Sequence, residues 1–231
     1  MYKNSEEFLA AFNRIEKALR QEMDNSKGIG FAKAVKILTK YNPIVRQYSD
    51  DLLQYAELRN AIVHDKTDTM HAIAEPHDSV VEHIAKIEKE ITQPKVVIPM
   101  FSRKVVSFQS NDSLSHVLEA VHENGFSKFP VYHDREFKGL FTESAITKWL
   151  ADNKFASGAE TVIEEILPYQ KDTNYNFISR NTTVYEAVGI FKDQMEKGNR
   201  IDALLITENG DPTEQLLGII TTWDMMEMQS M

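Results

Sequence analysis

The N-terminal part of the chain carries apolar residues at helical spacing. In its first stretch they recur at intervals of three or four residues, which is typical of an amphipathic helix with one buried face. Asn4 precedes this stretch and Glu7 follows three residues later, so the sequence predicts that Asn4 caps the helix. The apolar positions are Phe8, Phe12, Ile15 and Leu19.

Three further stretches keep the same spacing. The second follows a break at residues 25–30, the third begins with the cap-like Asn42 and Pro43, and the last begins at Pro76. Together they predict an up-and-down bundle of about four helices over residues 1–93. Their apolar positions are Phe31, Ala34, Val35 and Leu38, then Ile44, Tyr48, Leu52, Tyr55 and Ile62, and finally Val80, Ile84, Ile87 and Ile91.

From residue 95 onward the pattern changes to short apolar runs that alternate with helical stretches, and this pattern occurs twice. Leu114 corresponds to Val184 and Gly139 to Gly218, at offsets of 70 and 79 residues. The sequence therefore predicts an α+β protein, in which the bundle precedes a duplicated unit at about 95–152 and 160–231. The predicted strands cover 105–108, 129–132 and 139–141 in the first copy and 177–179, 203–206 and 218–220 in the second.

Composition and charge exclude several classes of function. The chain has 26 Lys+Arg and 35 Asp+Glu, a net charge of −9, which disfavours broad binding to nucleic-acid backbones. It has no cysteine, which excludes disulfides, thiol catalysis and Cys-ligated metal centres. No apolar run is long enough for a signal core or a membrane span, so the sequence predicts a cytoplasmic protein that does not enter the membrane. No His or carboxylate cluster has metal-ligand spacing, and we expect no metal.

The second copy contains a candidate binding motif in the run Gly218-Ile219-Ile220-Thr221-Thr222-Trp223-Asp224. Thr221 places a hydroxyl beside the unpaired N–H groups of a helix start, where a phosphate can bind. The carboxylate of Asp224, one turn into the helix, can accept both hydroxyls of a ribose. Gly218 would let the backbone approach a ligand closely. The alternative is that Thr221 caps the helix and Asp224 only favours its positive end.

The first copy has the same run without the acid, because Ala145 stands in the position of Asp224. Thr142 is then more simply explained as a helix cap than as a ligand contact, and the first cleft is either unused or binds by another route. Lys128 and Arg180 lie near the ends of predicted strands, where they could contact phosphates or serve as ordinary surface cations. The sequence therefore predicts one competent site in the chain.

The two copies resemble a tandem pair of CBS domains, a Bateman module, over about 95–231. The resemblance rests on a motif of a glycine, two apolar residues, a threonine and an aspartate three residues further. This motif is complete only in the second copy. The resemblance implies that Gly218, Ile220, Thr221 and Asp224, together with Thr142, Lys128 and Arg180, surround an adenine-type ligand. Candidates are AMP, ADP, ATP, S-adenosylmethionine and a cyclic dinucleotide. The resemblance also implies a homodimer.

Within the helical part, Arg59 and His64 resemble the R-x4-6-H motif of HEPN domains, which are helical, often paired, and include metal-independent ribonucleases. Their chemistry suits RNA cleavage, since an imidazole can take the 2′-hydroxyl proton and a guanidinium can stabilise the phosphate. The alternative is that Arg59 pairs with an acid of the bundle and His64 interacts with the C-terminus of its helix.

Three hypotheses follow from these motifs. In the first, the chain is a regulatory protein whose CBS pair binds an adenine-type nucleotide and signals to a dimeric helical domain. In the second, the nucleotide gates a metal-independent RNA endonuclease of the HEPN type, so that RNA is a partner. In the third, the chain is a structural or partner-binding module with vestigial sites. Whether the protein is an enzyme stays open at this point.

Overall fold

The computed structural model contains two compact units, residues 1–95 and residues 96–231. It describes residues 3–23, 28–64, 75–153, 161–170 and 173–225. Each unit is described below by itself.

The first unit consists of helices. They are α1 (Lys3–Glu22), α2 (Phe31–Leu38), α3 (Pro43–Gln47), α4 (Ser49–His64) and α5 (Asp78–Thr92). Helix α1 packs mainly against α5, and α2 packs mainly against α4. The apolar positions that the spacing marked are largely confirmed as the core, because Phe8, Ile15, Leu19, Leu52 and Ile84 are all completely buried.

The helix boundaries differ from the predictions in three places. The predicted third helix is interrupted at Tyr48, where φ is −105° and ψ is 16°, so it forms α3 and α4. The prediction that Asn4 caps α1 is wrong, because the helix already includes Lys3 and the Asn4 amide donates instead to the Pro76 carbonyl and the Asp78 carboxylate. Helix α5 starts at Asp78 rather than at Pro76. The Asn42 cap is confirmed, since its Oδ1 accepts the N–H groups of the first turn of α3.

The second unit alternates helices and strands. Its first half has α6 (Val97–Met100), β1 (Phe108–Gln109), α7 (Leu114–Asn124), β2 (Lys128–His133), β3 (Glu136–Thr142) and α8 (Glu143–Asp152). Its second half has α9 (Ile163–Ile166), a 3₁₀ turn (Leu167–Tyr169), β4 (Tyr175–Ser179), α10 (Val184–Glu196), β5 (Ala203–Thr207) and β6 (Gly218–Thr221).

Each half forms its own three-stranded sheet, and the two sheets have the same topology. Strand β1 is parallel to β2, which is antiparallel to β3, and β4, β5 and β6 repeat this arrangement. The predicted first strand is displaced, since residues 105–107 are irregular and β1 begins at Phe108. The connection between the predicted strands 129–132 and 139–141 is shorter than expected, because β3 begins at Glu136, directly after a tight turn in which Asp134 has a φ of 55°.

The first segment of each repeat packs into the core of the other repeat. Val97 and Phe101, at the start of the first repeat, are buried among β4, β5, β6 and α10. Ile163 and Ile166, at the start of the second repeat, are buried with α7, α8 and the first sheet. A third apolar cluster joins Leu140 of β3 to residues of β5 and β6. Because the first segment crosses to the second repeat, residues 101–103 lie alongside β6, next to the binding motif of the second repeat.

Candidate functional site

Thr221 and Asp224 are in direct contact at the end of β6. Asp224 Oδ2 accepts the Thr221 backbone N–H at 2.6 Å and the Thr221 hydroxyl at 2.8 Å. The Asp224 side chain is only 14% exposed. The structure therefore brings together the two polar residues of the motif, and it does so by bonding them to each other.

Arg103, which the sequence analysis did not identify, binds the same carboxylate. Its Nη2 donates to Asp224 Oδ1 at 2.7 Å. The guanidinium also donates to the Ile219 carbonyl, from Nε at 3.0 Å and from Nη2 at 2.6 Å. Arg103 reaches this position because its own N–H donates to the Leu217 carbonyl and the preceding Ser102 pairs with Gly218. It lies 121 residues from Asp224 in the sequence, so no local pattern could predict the pair.

These contacts change the acidity of Asp224. Burial acts to raise the pKa of the carboxyl, but the hydrogen bonds from Thr221 and Arg103 and the charge of Arg103 outweigh it, and the pKa lies below its ordinary value. The group is therefore ionised at neutral pH and acts as a hydrogen-bond acceptor.

The acceptor capacity of Asp224 is nearly filled. An ionised carboxylate has about four lone-pair positions on its two oxygens. Three donors already occupy it, two on Oδ2 from Thr221 and one on Oδ1 from Arg103. A ribose diol needs two acceptor positions, so its binding to this carboxylate displaces at least one of the present donors.

Gly218 allows a close approach within the protein itself. A Cβ at this position would overlap the carbonyl oxygen of Phe101 and lie 3.3 Å from Ile206 Cδ1. The protein's own chain at residues 101–102 therefore requires a glycine here, and this segment is the one that leads to Arg103. The expectation that Gly218 also lets a ligand approach stays a prediction.

The other predicted ligand residues of the second unit lie elsewhere. Ile220 is completely buried in the core, so its side chain faces no ligand. Lys128 pairs in register with Thr142 across β2 and β3, which places it at the first motif. Arg180 forms an ion pair with Glu208 at 3.0 Å. Among the contacts of the described residues, none joins Lys128 or Arg180 to Asp224.

The corresponding position of the first repeat is closed by core packing. Ala145 is completely buried in the apolar cluster that contains Phe129 and Trp149. Thr142 occupies the N-cap position of α8 but makes no capping bond with its side chain. Its hydroxyl donates instead to Gln170 Oε1 at 2.6 Å. The first motif therefore keeps the strand and the helix but has no carboxylate.

A cavity of about 440 Å³ opens beside the first motif. Its walls include Lys138, Gly139 and Leu140 of β3, together with Gln170 and Tyr175, and Asp224 is not among its lining residues. The volume falls within the range of small-molecule pockets. The ionised carboxylate of the complete motif and the cavity therefore lie at different motifs.

The two candidate catalytic residues lie on α4 of the first unit. Arg59 is half-buried, and its Nη1 is 3.3 Å from the Asn60 side-chain oxygen, to which it donates. His64 ends α4, and its side chain lies outside the described residues.

Neither a metal centre nor a membrane span is found in the part of the chain that the structure describes. Within residues 3–23, 28–64, 75–153, 161–170 and 173–225, no three His or carboxylate side chains gather as metal ligands would. No helix in these same ranges is long and apolar enough to cross a bilayer.

Comparison with known proteins gives matches in the second unit. Among solved structures, the chain is similar to a CBS-domain-containing protein from Agrobacterium tumefaciens, with 20% identity and a TM-score of 0.42 over 55% of this chain and 85% of that one. It is similar to the CBS domain pair of protein MJ0100 in complex with 5′-methylthioadenosine and S-adenosyl-L-methionine, with 20% identity and a TM-score of 0.45 over 59% and 97% of the two chains. The CBS domain of a bacterial CNNM/CorC family Mg²⁺ transporter in complex with ATP matches with 14% identity and a TM-score of 0.43 over 58% and 86%. No curated protein matches the chain.

The family assignment rests on the sequence match. The CBS domain family matches residues 97–152 and residues 164–230, which together make up more than half of the chain. These two ranges contain the two three-stranded sheets of the second unit, one in each range. The chain therefore belongs to the CBS domain family and carries two CBS domains in tandem.

Proposed function

We propose that this protein is a regulatory nucleotide-binding protein in which the CBS pair binds an adenine-type nucleotide at Thr221 and Asp224. The observation that carries the proposal is the mostly buried carboxylate of Asp224, held by Thr221 and Arg103 beyond the end of β6 and ionised through their hydrogen bonds. An ionised carboxylate is a strong acceptor for the vicinal hydroxyls of a ribose. Adenine as the base follows from membership of the family alone.

The helical unit is the proposed receiver of the signal. In this proposal the protein is a homodimer, and the nucleotide acts by favouring one arrangement of the dimer over another. A ligand can shift such an equilibrium only by the difference between its affinities for the two arrangements. The helical unit is in this view a HEPN-like domain that responds to the nucleotide.

Ribonuclease activity is a weaker alternative. Its support is the spacing of Arg59 and His64 alone, and among the described residues the Arg59 side chain has a single side-chain partner, the neighbouring Asn60. RNA cleavage without metal, lost in both Arg59→Ala and His64→Ala, would establish it.

Nucleotide binding is tested by thermal unfolding and calorimetry with AMP, ADP, ATP, S-adenosylmethionine and a cyclic dinucleotide. A ligand that binds only the folded chain raises the unfolding midpoint. We expect Asp224→Ala to abolish the increase, because it removes the acceptor for the diol, with a loss of affinity of about a hundredfold or more.

Asp211→Ala is the matched control. Asp211 Oδ1 also accepts the N–H and the hydroxyl of a threonine, Thr213, at 2.8 Å and 2.7 Å, but it lies on the exposed turn between β5 and β6 and has no arginine partner. We expect this variant to bind as the wild type does. Equal binding by wild type and Asp224→Ala, or no binding of any of these compounds, would contradict the proposal.

A further inference from the structure

We infer that Arg103 changes partners when the ligand binds, moving from Asp224 to a phosphate, and that the site therefore selects phosphorylated nucleosides over free nucleosides. This inference rests on the proposed function, since it assumes that the diol binds Asp224. It assigns the phosphate contact to a residue outside the motif, instead of to Lys128 or Arg180.

The first step is that one donor has to leave Asp224. Three of its roughly four acceptor positions are occupied, and the diol needs two. Two of the present donors belong to Thr221, whose N–H is fixed by the end of β6 and whose Oγ1 lies 2.8 Å from the same carboxylate oxygen, so this oxygen stays occupied unless the Thr221 side chain rotates. The third belongs to Arg103, whose long side chain is 43% exposed. Arg103 is therefore the donor that is displaced at least cost.

The second step concerns the charge of Arg103. Once the diol has taken its place on Asp224, the guanidinium keeps its bonds to the Ile219 carbonyl but loses its ion pair. Its Nη1 group makes no hydrogen bond to any residue that the structure describes, so a planar pair of donors is available on the exposed side. Phosphate oxygens fit such a fork in a bidentate manner. A 5′-phosphate is carried by the same sugar as the diol, so it arrives beside the displaced guanidinium.

The third step comes from the other repeat, where both partners are absent. Asp224 corresponds to Ala145 at the offset of 79 residues. Arg103 lies three residues after α6 and corresponds to Tyr169, because α6 (Val97–Met100) and its counterpart α9 (Ile163–Ile166) are 66 residues apart. The presence of Arg103 together with Asp224 at one motif, and of neither at the other, is what we expect when the two residues serve one ligand.

The experiment measures the ratio of AMP affinity to adenosine affinity by calorimetry in the full chain. For the wild type we expect AMP to bind more tightly than adenosine. In Arg103→Gln we expect the ratio to fall at least about tenfold, because the phosphate loses a charged partner. Adenosine affinity stays constant or rises, because the diol no longer competes with an arginine. Gln keeps an N–H donor for the Ile219 carbonyl, and unfolding curves check that the fold is kept.

Two comparison variants sharpen the test. Arg103→Lys keeps the charge without the planar fork and is expected to give an intermediate ratio. Arg180→Gln changes another arginine that is 43% exposed and paired with a carboxylate, and it is expected to leave the ratio unchanged.

The inference is overturned if Arg103→Gln weakens AMP and adenosine equally, since Arg103 then only supports Asp224. It is also overturned if the ratio falls in Arg180→Gln instead. The proposed function fails separately, when neither compound nor any other nucleotide binds the wild type, or when Asp224→Ala binds as well as the wild type.

Discussion

The two CBS domains follow the same strand with opposite kinds of side chain. In the second domain the position three residues after β6 holds a carboxylate bound to a threonine and an arginine. In the first domain the equivalent position holds Ala145, completely buried among aromatic and aliphatic side chains. The antiparallel pairing of the strand that leads to the motif is kept in both domains, so it does not depend on the binding groups. The fold and the site can therefore be changed separately, and substitutions at equivalent positions should have unequal effects.

The largest effect is expected for Ala145→Asp, which gives the first domain the acid of the second. Ala145 is completely buried in an apolar cluster, and the hydroxyl of Thr142, the counterpart of Thr221, already donates to Gln170, so the new carboxylate would be desolvated and would have to compete for this donor. We expect a loss of about 3–5 kcal/mol in the free energy of unfolding, measured by urea denaturation. Ala145→Asn is the control for side-chain volume, because asparagine is nearly the same size as aspartate but carries no charge. Stability equal to that of the wild type would show that this position opens to solvent and that the two domains are more alike than the structure indicates.

A smaller effect is expected at the two glycines of the motif. Gly218→Ala places a Cβ against the backbone of Phe101, which cannot move without shifting the crossing segment. We expect a loss near the upper end of the roughly 1–3 kcal/mol that overpacking costs. Gly139→Ala meets only Leu167 Cδ2 at 3.8 Å, but its φ of +155° strains an alanine. There we expect about 1 kcal/mol. The measurement is thermal unfolding of both variants, and a larger loss at Gly139 would reverse the comparison.

The smallest effect is expected for Asp224→Asn, and it should depend on pH. The pKa of Asp224 is lowered in the folded chain, because the bonds from Thr221 and Arg103 outweigh burial. The ionised form therefore adds stability that is fully present above the ordinary carboxyl pKa of about 3.9 and is lost as the pH falls through the lowered pKa.

We expect the Asn variant to be about 1 kcal/mol less stable at pH 7, since Arg103 is partly solvated. The difference should shrink below about pH 4. Denaturation at a series of pH values checks this, and a difference that grows toward acid pH would contradict the lowered pKa. In Asp211→Asn, with no arginine beside the carboxylate, we expect a smaller difference at pH 7.

Much of the fold could be predicted because its signals are local. Apolar spacing marked the helices of the first unit, and the Asn42 cap follows from two adjacent residues. The duplication was visible because each copy repeats its own alternation of strand and helix, and the matching sheets confirm it. The misplaced features were set by distant contacts. Asn4 was assigned to its own helix because its partners, at Pro76 and Asp78, lie more than seventy residues away.

The candidate site could be predicted only in part for the same reason. Thr221 and Asp224 are three residues apart, so their contact follows from the motif. Arg103 approaches them through the crossing of a whole segment, which no spacing rule contains. Lys128 and Arg180 stay predictions, because a position near a strand end does not tell which motif a cation serves: Lys128 pairs in register with Thr142, and Arg180 forms an ion pair with Glu208.

The exchange of segments between the repeats also determines how the second unit can be divided. Residues 97–101 complete the interior of the second repeat, and residues 163–166 complete that of the first. Cutting the chain between the sequence repeats would leave each fragment without the apolar residues that complete its core, and part of that core would be exposed to solvent. The sequence repeat is therefore not an independently folding unit. The two repeats are expected to fold together as one cooperative unit.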